Sequence, residues 1–191
     1  MRRPSKILTA PIVGVAVLVS ALPFVGCDEY EIALLPVVDS VRLYSLARPE
    51  YTGFYSAFDF FSPTRVVVEQ AKLGAVTDFD MAFSEMDGQF VMLPAGIFQT
   101  FDITPGMIRI DGGVAFDEYD EAPSDGYVTD EPVPLEVDAL YVVRSRAVQL
   151  SSGPCTRYGK FQVKTLDPEG TVEFRFLRNN RCNDRLVTEE D

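Results

Sequence analysis

From residue 41 onward, apolar side chains recur mostly at every second position, the spacing that lines one face of a β-strand. Val41-Arg-Leu-Tyr-Ser-Leu-Ala47 alternates in this way. Phe54 to Phe61 is dense in aromatics and ends at Ser62-Pro63, so Arg65 to Glu69 reads as the second arm of a hairpin. Thr77 to Phe83 would set Phe79, Met81 and Phe83 on one face of a strand and Asp78 with Asp80 on the wet face. Gly88 to Leu93, Phe98 to Ile103, Met107 to Ile110 and Leu140 to Arg146 predict further short strands. They are separated by the turn signals Pro94-Ala-Gly96, Pro105-Gly106 and Asp111-Gly112-Gly113. Gln70 to Val76 is the one candidate helix after the N-terminal run, and Gly74 weakens it. Gln149 to Pro154 reads as a loop and Asn183 to Asp191 as a polar tail. Many short strands, with a turn about every eight to twelve residues, predict an all-β fold: an antiparallel β-sandwich or a related multi-stranded sheet.

For the C-terminal pair even the register can be read. Tyr158 to Leu166 and Thr171 to Arg178 alternate on either side of Asp167-Pro168-Glu169-Gly170, where Pro suits the second position of a type I turn and Gly the fourth. Setting Leu166 opposite Thr171 pairs positions whose numbers sum to 337. Phe161 then meets Phe176, Val163 meets Phe174, Lys164 meets Glu173 and Cys155 meets Cys182. Turn, apolar pattern, charge pair and thiols agree on one register, which predicts a Cys155–Cys182 disulfide stapling the hairpin.

The N-terminus breaks the alternation. Arg2, Arg3 and Lys6 precede an apolar run from Ile7 to Gly26, and Cys27 stands at its exit, giving the basic, apolar and small-residue parts of a secretory leader. Val25-Gly26-Cys27 resembles the end of a bacterial lipoprotein signal, in which the cysteine is lipidated, with Phe24 where Leu is usual. An uncleaved membrane anchor is the rival, because about twenty apolar residues also span a bilayer. Pro11 and Pro23 inside the run, and Cys27 at its end, favour the lipoprotein. The expected division is residues 1–26 as signal peptide, 27–40 as tether or first edge strand, and 41–191 as a single all-β domain. The expected location is the bacterial cell envelope, held at the membrane through lipidated Cys27 and facing the periplasm or exterior, where a disulfide can form.

Composition then removes function classes. The 191-residue chain has a formal net charge of −12 and neither histidine nor tryptophan. Loss of residues 1–26, with three basic residues and no acid, deepens the charge to −15. Such a surface repels phosphate backbones, so nucleic acid is not an expected partner. Without histidine there is no Ser-His-Asp or Cys-His catalysis and no usual catalytic zinc site. Asp78 and Asp80 remain as a carboxylate pair, but nothing nearby in sequence supplies a partner, and no catalytic residue is assigned. Between Ile110 and Val143 there are ten acids and no Lys or Arg. Asp117 to Gly126 does not fit EF-hand spacing, so Asp117 to Glu131 is expected to be a solvated acidic loop, with no metal site.

Several segments, taken in order, resemble the HmuY-like family of bacterial surface lipoproteins. They are Phe58-Asp-Phe-Phe-Ser62 before Val66-Val67, Asp78-Phe-Asp-Met-Ala-Phe83, Ile108-Arg-Ile-Asp-Gly-Gly113, Tyr141-Val-Val-Arg-Ser145, and Tyr158 to Val163 with Thr171 to Phe176. The resemblance implies a lipid-anchored all-β domain, with haem capture in the best-known members. Ligation by paired histidines does not carry over to this chain. Thioether or phenolate ligation would fall to Met81, Met86, Met92, Met107 or Tyr119, although Met81 and Met92 occupy positions where filling gaps is the usual role. The expected function is a lipid-anchored binding module without catalytic activity, using loops on a rigid β-frame, with haem as one candidate ligand. The alternative is a structural or assembly subunit of an envelope membrane complex that holds a protein partner and no small molecule.

Overall fold

The computed structural model describes residues 38–69, 75 and 78–188. The leader, Cys27 and most of the tether lie outside these residues, as does nearly all of the candidate helix at 70–76. One antiparallel sheet is built from β1 (Val38–Tyr44), β6 (Gly106–Ile110), β8 (Leu140–Arg144), β11 (Tyr158–Asp167) and β12 (Thr171–Arg178), in the order β1-β12-β11-β8-β6. The other holds β2 (Tyr55–Asp59), β3 (Thr64–Val67), β4 (Met81–Met86), β5 (Gln89–Pro94) and β7 (Val133–Pro134), in the order β3-β2-β4-β5-β7. β9 (Val148–Leu150) and β10 (Gly153–Cys155) form a separate hairpin where a loop was expected.

The two sheets pack face to face as the alternation predicts. Phe58, Met81, Phe83 and Met92 of one sheet meet Tyr141, Phe161, Val163, Phe174 and Phe176 of the other. Phe58 stands edge-on to Phe174 at 5.6 Å and to Phe176 at 5.0 Å, and Tyr141 stacks on Phe161 at 4.9 Å. Each such ring contributes about 1.5–3 kcal/mol by leaving water, with a further increment of about 0.5–1.5 kcal/mol where ring pairs are well oriented.

Both outer faces are covered too. Ala57, Ala82, Val91 and Leu93 carry Phe79, with Phe98 and Phe101 packed against them. Leu140, Val142 and Leu177 carry Phe116, Ala122 and Val187. Burial on two faces explains why Leu140-Tyr-Val-Val143 reads as an unbroken apolar run. It also corrects three expectations. Phe98 to Ile103 is not a strand, because a 3-10 turn at Ala95–Ile97, closed by the Phe98 N–H on the Ala95 carbonyl at 3.0 Å, turns Phe98 and Phe101 back onto the sheet. Phe79 precedes β4 and sits on the outer face, apart from Met81 and Phe83 on the inner one.

The third correction concerns the acidic stretch, which is laid down on the protein. Its acids are mostly exposed while Phe116, Ala122, Val133 and Leu135 are buried. The buried Lys160 ammonium donates to the carbonyls of Phe116 at 2.5 Å and Tyr119 at 2.7 Å, and lies 4.7 Å from the Phe116 ring centre. Arg175 lies over the same ring at 4.2 Å. Val128 exchanges two backbone hydrogen bonds with Met107, and a Cβ on Gly96 would come within 2.3 Å of the Thr129 carbonyl oxygen. The tail joins in, with Ala122 N–H on the Arg185 carbonyl and Val187 N–H on that of Asp120, both at 2.8 Å. Acid content marked the outward side chains of this stretch and hid the backbone carbonyls that hold it.

The terminal hairpin keeps the predicted register at its far end: Phe161 faces Phe176 and Val163 faces Phe174. Nearer the turn it shifts by one, so Asp167 faces Thr171 and Thr165 faces Glu173. Gly170, at φ +91°, gives the turn three residues in place of the expected four, and a bulge at Lys164 restores the register beyond it. Cys155 and Cys182 are bonded, with Cα atoms 4.9 Å apart. Cys155 ends β10 and Cys182 follows β12, so the bond ties the small hairpin to the chain beyond the sheet and is not a rung of the β11–β12 ladder.

Candidate functional site

The connection from β1 to β2 borders three clefts that open to solvent. Pro49 opens a 3-10 turn over Pro49–Tyr51, and Gly53 at φ +86° lets the chain reverse into β2. This connection is bolted to the β11–β12 turn. Ser45 N–H donates to the Gly170 carbonyl at 2.9 Å, Arg48 Nη2 to that of Pro168 at 3.1 Å, and the Tyr51 hydroxyl to that of Glu169 at 3.0 Å. Arg48 also holds Glu85 Oε2 through Nε at 3.0 Å and Nη2 at 2.8 Å.

Tyr44, Tyr51 and Phe54 consequently pack on one another, with centroid separations of 5.0, 4.8 and 5.8 Å. Below them lies an open groove of about 600 Å³, bounded by Arg42, Tyr44 and Tyr51 and by Thr165 to Pro168, Glu169, Thr171 and Glu173. Arg42 reaches Glu173 Oε1 through Nε at 2.7 Å and through Nη2, which raises the arginine above its ordinary value by that hydrogen bond and charge. Asp167 Oδ1 accepts the Glu169 N–H at 2.8 Å. Two smaller clefts flank the same connection. One of about 260 Å³ shares Tyr51 and includes Ser56 and Val68, and an apolar one of about 250 Å³ includes Leu46, Met86, Leu93 and Phe98.

A second constellation is buried. Arg146, just past β8, forks onto Asp59 of β2, with Nη1 to Oδ1 at 2.9 Å and Nη2 to Oδ2 at 3.1 Å, and Nη1 lies 3.2 Å from Asp80 Oδ1. Asp80 also accepts the N–H groups of Arg146 at 2.7 Å, Phe60 at 2.7 Å and Phe61 at 3.1 Å. Asp59 accepts those of Phe61 at 2.9 Å and Ser62 at 3.1 Å. Arg157 and Arg178 both donate to the Phe61 carbonyl. Burial pushes Asp80 up to about 6 against the pull of Arg146, with the Asp59 charge adding to the rise. Burial and the neighbouring Arg157 push Arg178 down to about 10. Burial opposes the charge on Arg146, yet Asp59 and Asp80 hold it above its ordinary value. With the Asp80 side chain wholly buried and four N–H groups aimed at it, this is a clasp across the sheets and offers a substrate no approach.

The structure therefore separates the residues singled out from sequence. Asp78 is exposed and Asp80 is inside the clasp, so the expected wet-side pair does not exist. Met81, Met92 and Met107 fill the core between the sheets, Met86 is 46% exposed beside the apolar cleft, and Tyr119 is half-buried in the acidic stretch with its hydroxyl pushed up by burial. Tyr44, Tyr51, Asp59 and Arg146 were missed as functional or structural centres. A carboxylate set inside Phe58-Asp-Phe-Phe61 was the available sign for the clasp; the groove joins segments more than a hundred residues apart and left none. Compared with protein-family models, with curated proteins and with solved structures, the chain matches none.

Proposed function

We propose that the protein is a lipid-anchored binding module of the bacterial cell envelope, without catalytic activity, whose recognition surface is the groove below Tyr44 and Tyr51. That groove is the observation that carries the reading: two half-buried tyrosine rings and several charged side chains border an open groove, on a connection fixed by three hydrogen bonds to the β11–β12 turn. A surface ordered before the ligand arrives loses little freedom on binding. Saturation of Asp59 and Asp80 by N–H donors takes that buried pair out of acid-base work, which needs a carboxylate that a substrate can reach. The anchor rests on Cys27 at the end of the apolar run.

Mass spectrometry of the mature N-terminus tests the anchor: an acylated Cys27 is expected, and an intact Met1 overturns it. A ligand-observed NMR screen of the detergent-solubilised protein tests the groove, with haemin included because the family resemblance points to it. At least one compound is expected to bind the wild type and to lose binding in Tyr51→Ala. A screen in which every interaction survives that substitution overturns the groove as the recognition surface.

A further inference from the structure

We infer that the groove takes a neutral oligosaccharide, an inference that rests on the binding reading above and narrows it to a ligand class. The ring geometry decides first. Centroids 4.8–5.8 Å apart put Tyr44, Tyr51 and Phe54 in mutual contact, so no space remains among them for an ammonium group caged on several sides. Their planes are tilted by 53–67° to one another, so each ring offers its own face, and Phe54, beside the groove, is 45% exposed. A sugar ring has the complementary shape: one face of C–H groups to lie on an aromatic surface, and hydroxyls around its edge.

The facing wall suits those hydroxyls. Asp167, Glu169 and Glu173 supply charged acceptors, Arg42 a donor, and Thr165 and Thr171 hydroxyls that serve as both. A sugar O–H donates well to a carboxylate and accepts from a guanidinium, so a polyol can use both signs of charge without carrying either. Three carboxylates against one guanidinium, on a chain of net charge −12, disfavour uronates, sulfates and phosphates. A strongly cationic ligand would have to compete with Arg42 for Glu173, and it is the alternative that the spermine arm of the test decides. The volume of about 600 Å³ lies within the usual ligand range of roughly 300–1,000 Å³, room for a short chain of sugars.

The test titrates the full-length protein in detergent with size ladders of neutral gluco-, xylo- and chito-oligosaccharides, with oligogalacturonate and spermine alongside, by isothermal calorimetry. Saturable binding of a neutral series is expected, strengthening from two units to four. Tyr51→Ala should weaken it roughly tenfold, the scale of one lost ring platform, while Tyr55→Ala outside the groove leaves it unchanged. Because Tyr51→Ala also removes the bond to Glu169, saturation transfer between sugar and the Tyr44 and Tyr51 ring protons is measured in the wild type and needs no variant. Absence of neutral-sugar binding, with Tyr51-dependent binding of oligogalacturonate or spermine, overturns the carbohydrate inference and leaves the binding reading standing. If none of the three classes gives Tyr51-dependent binding, the carbohydrate inference falls, and the screen with haemin described above decides the binding reading.

Discussion

β2 and β12 each run between two regions rich in charged and aromatic side chains. At the end marked by Tyr55 and Thr171 lies the groove, and at the end marked by Asp59 and Arg178 lies the clasp. The residue types are nearly the same: carboxylates, guanidinium groups and aromatic rings. Their states are opposite. In the clasp the Asp80 side chain is fully buried and that of Asp59 is 6% exposed, and the N–H groups of four residues are spent on them. In the groove, Glu169 and Asp167 are exposed. The clasp is closed by its own hydrogen bonds and the groove is open, so hydrogen-bond saturation, and not charge count, separates the two regions.

Removing the clasp cation should produce the largest effect. Arg146→Met strands two buried carboxylates and is expected to cost about 3–5 kcal/mol, lowering Tm by on the order of 10 °C. Arg146→Lys keeps the charge but not the fork and should fall between this and wild type. Urea denaturation checks both, and a loss below about 1 kcal/mol in Arg146→Met would dissolve the contrast between clasp and groove. Next in size is Cys155→Ser. The disulfide closes a loop with a sequence separation of 27, and its loss should cost about 3–4 kcal/mol through the unfolded chain. Groove binding should be unaffected, since neither cysteine lines it; a matching loss of affinity in calorimetry would show the two regions to be coupled.

The fold was legible where one rule governed. Apolar patterning between turn signals located β5, β6, β11 and β12 to within a residue, and the pairing of apolar positions set the far register of the terminal hairpin. It failed where a turn bends an apolar run back, as at Phe98 to Ile103. Asp80 was misplaced because the residue two before it, Asp78, is outside β4; only Met81 begins the ladder, so alternation did not yet apply. Tyr51 became part of a groove through Glu169, 118 positions away, and no local pattern encodes that meeting.

The clasp also leaves a pH signature. Folding raises Asp80 from 3.8 to about 6, so between these values the native state holds a proton that the unfolded chain has lost. The contribution is complete below about 4 and is lost as pH rises through about 6. Moving from pH 7 to pH 5 should therefore add about 1 kcal/mol, read as a higher urea midpoint at pH 5, and Asp80→Asn should flatten the difference. A midpoint that falls on acidification over this range would contradict it.

The smallest expected change lies at the other end of the same strands. Tyr51→Phe removes one hydroxyl that donates to the Glu169 carbonyl at 3.0 Å and leaves the ring packed on Tyr44 and Phe54. A solvent-accessible bond of this kind is worth about 0.5–1 kcal/mol, and water can replace it at the exposed Glu169. Global stability should thus hardly move, while amide exchange in residues 49–54 and 168–170 quickens, because the connection loses one of its three bonds to the turn. If Tyr51→Phe instead destabilised the protein as much as Arg146→Met, the groove would be carrying the fold, and its openness would no longer mark it as the part of the molecule free to bind.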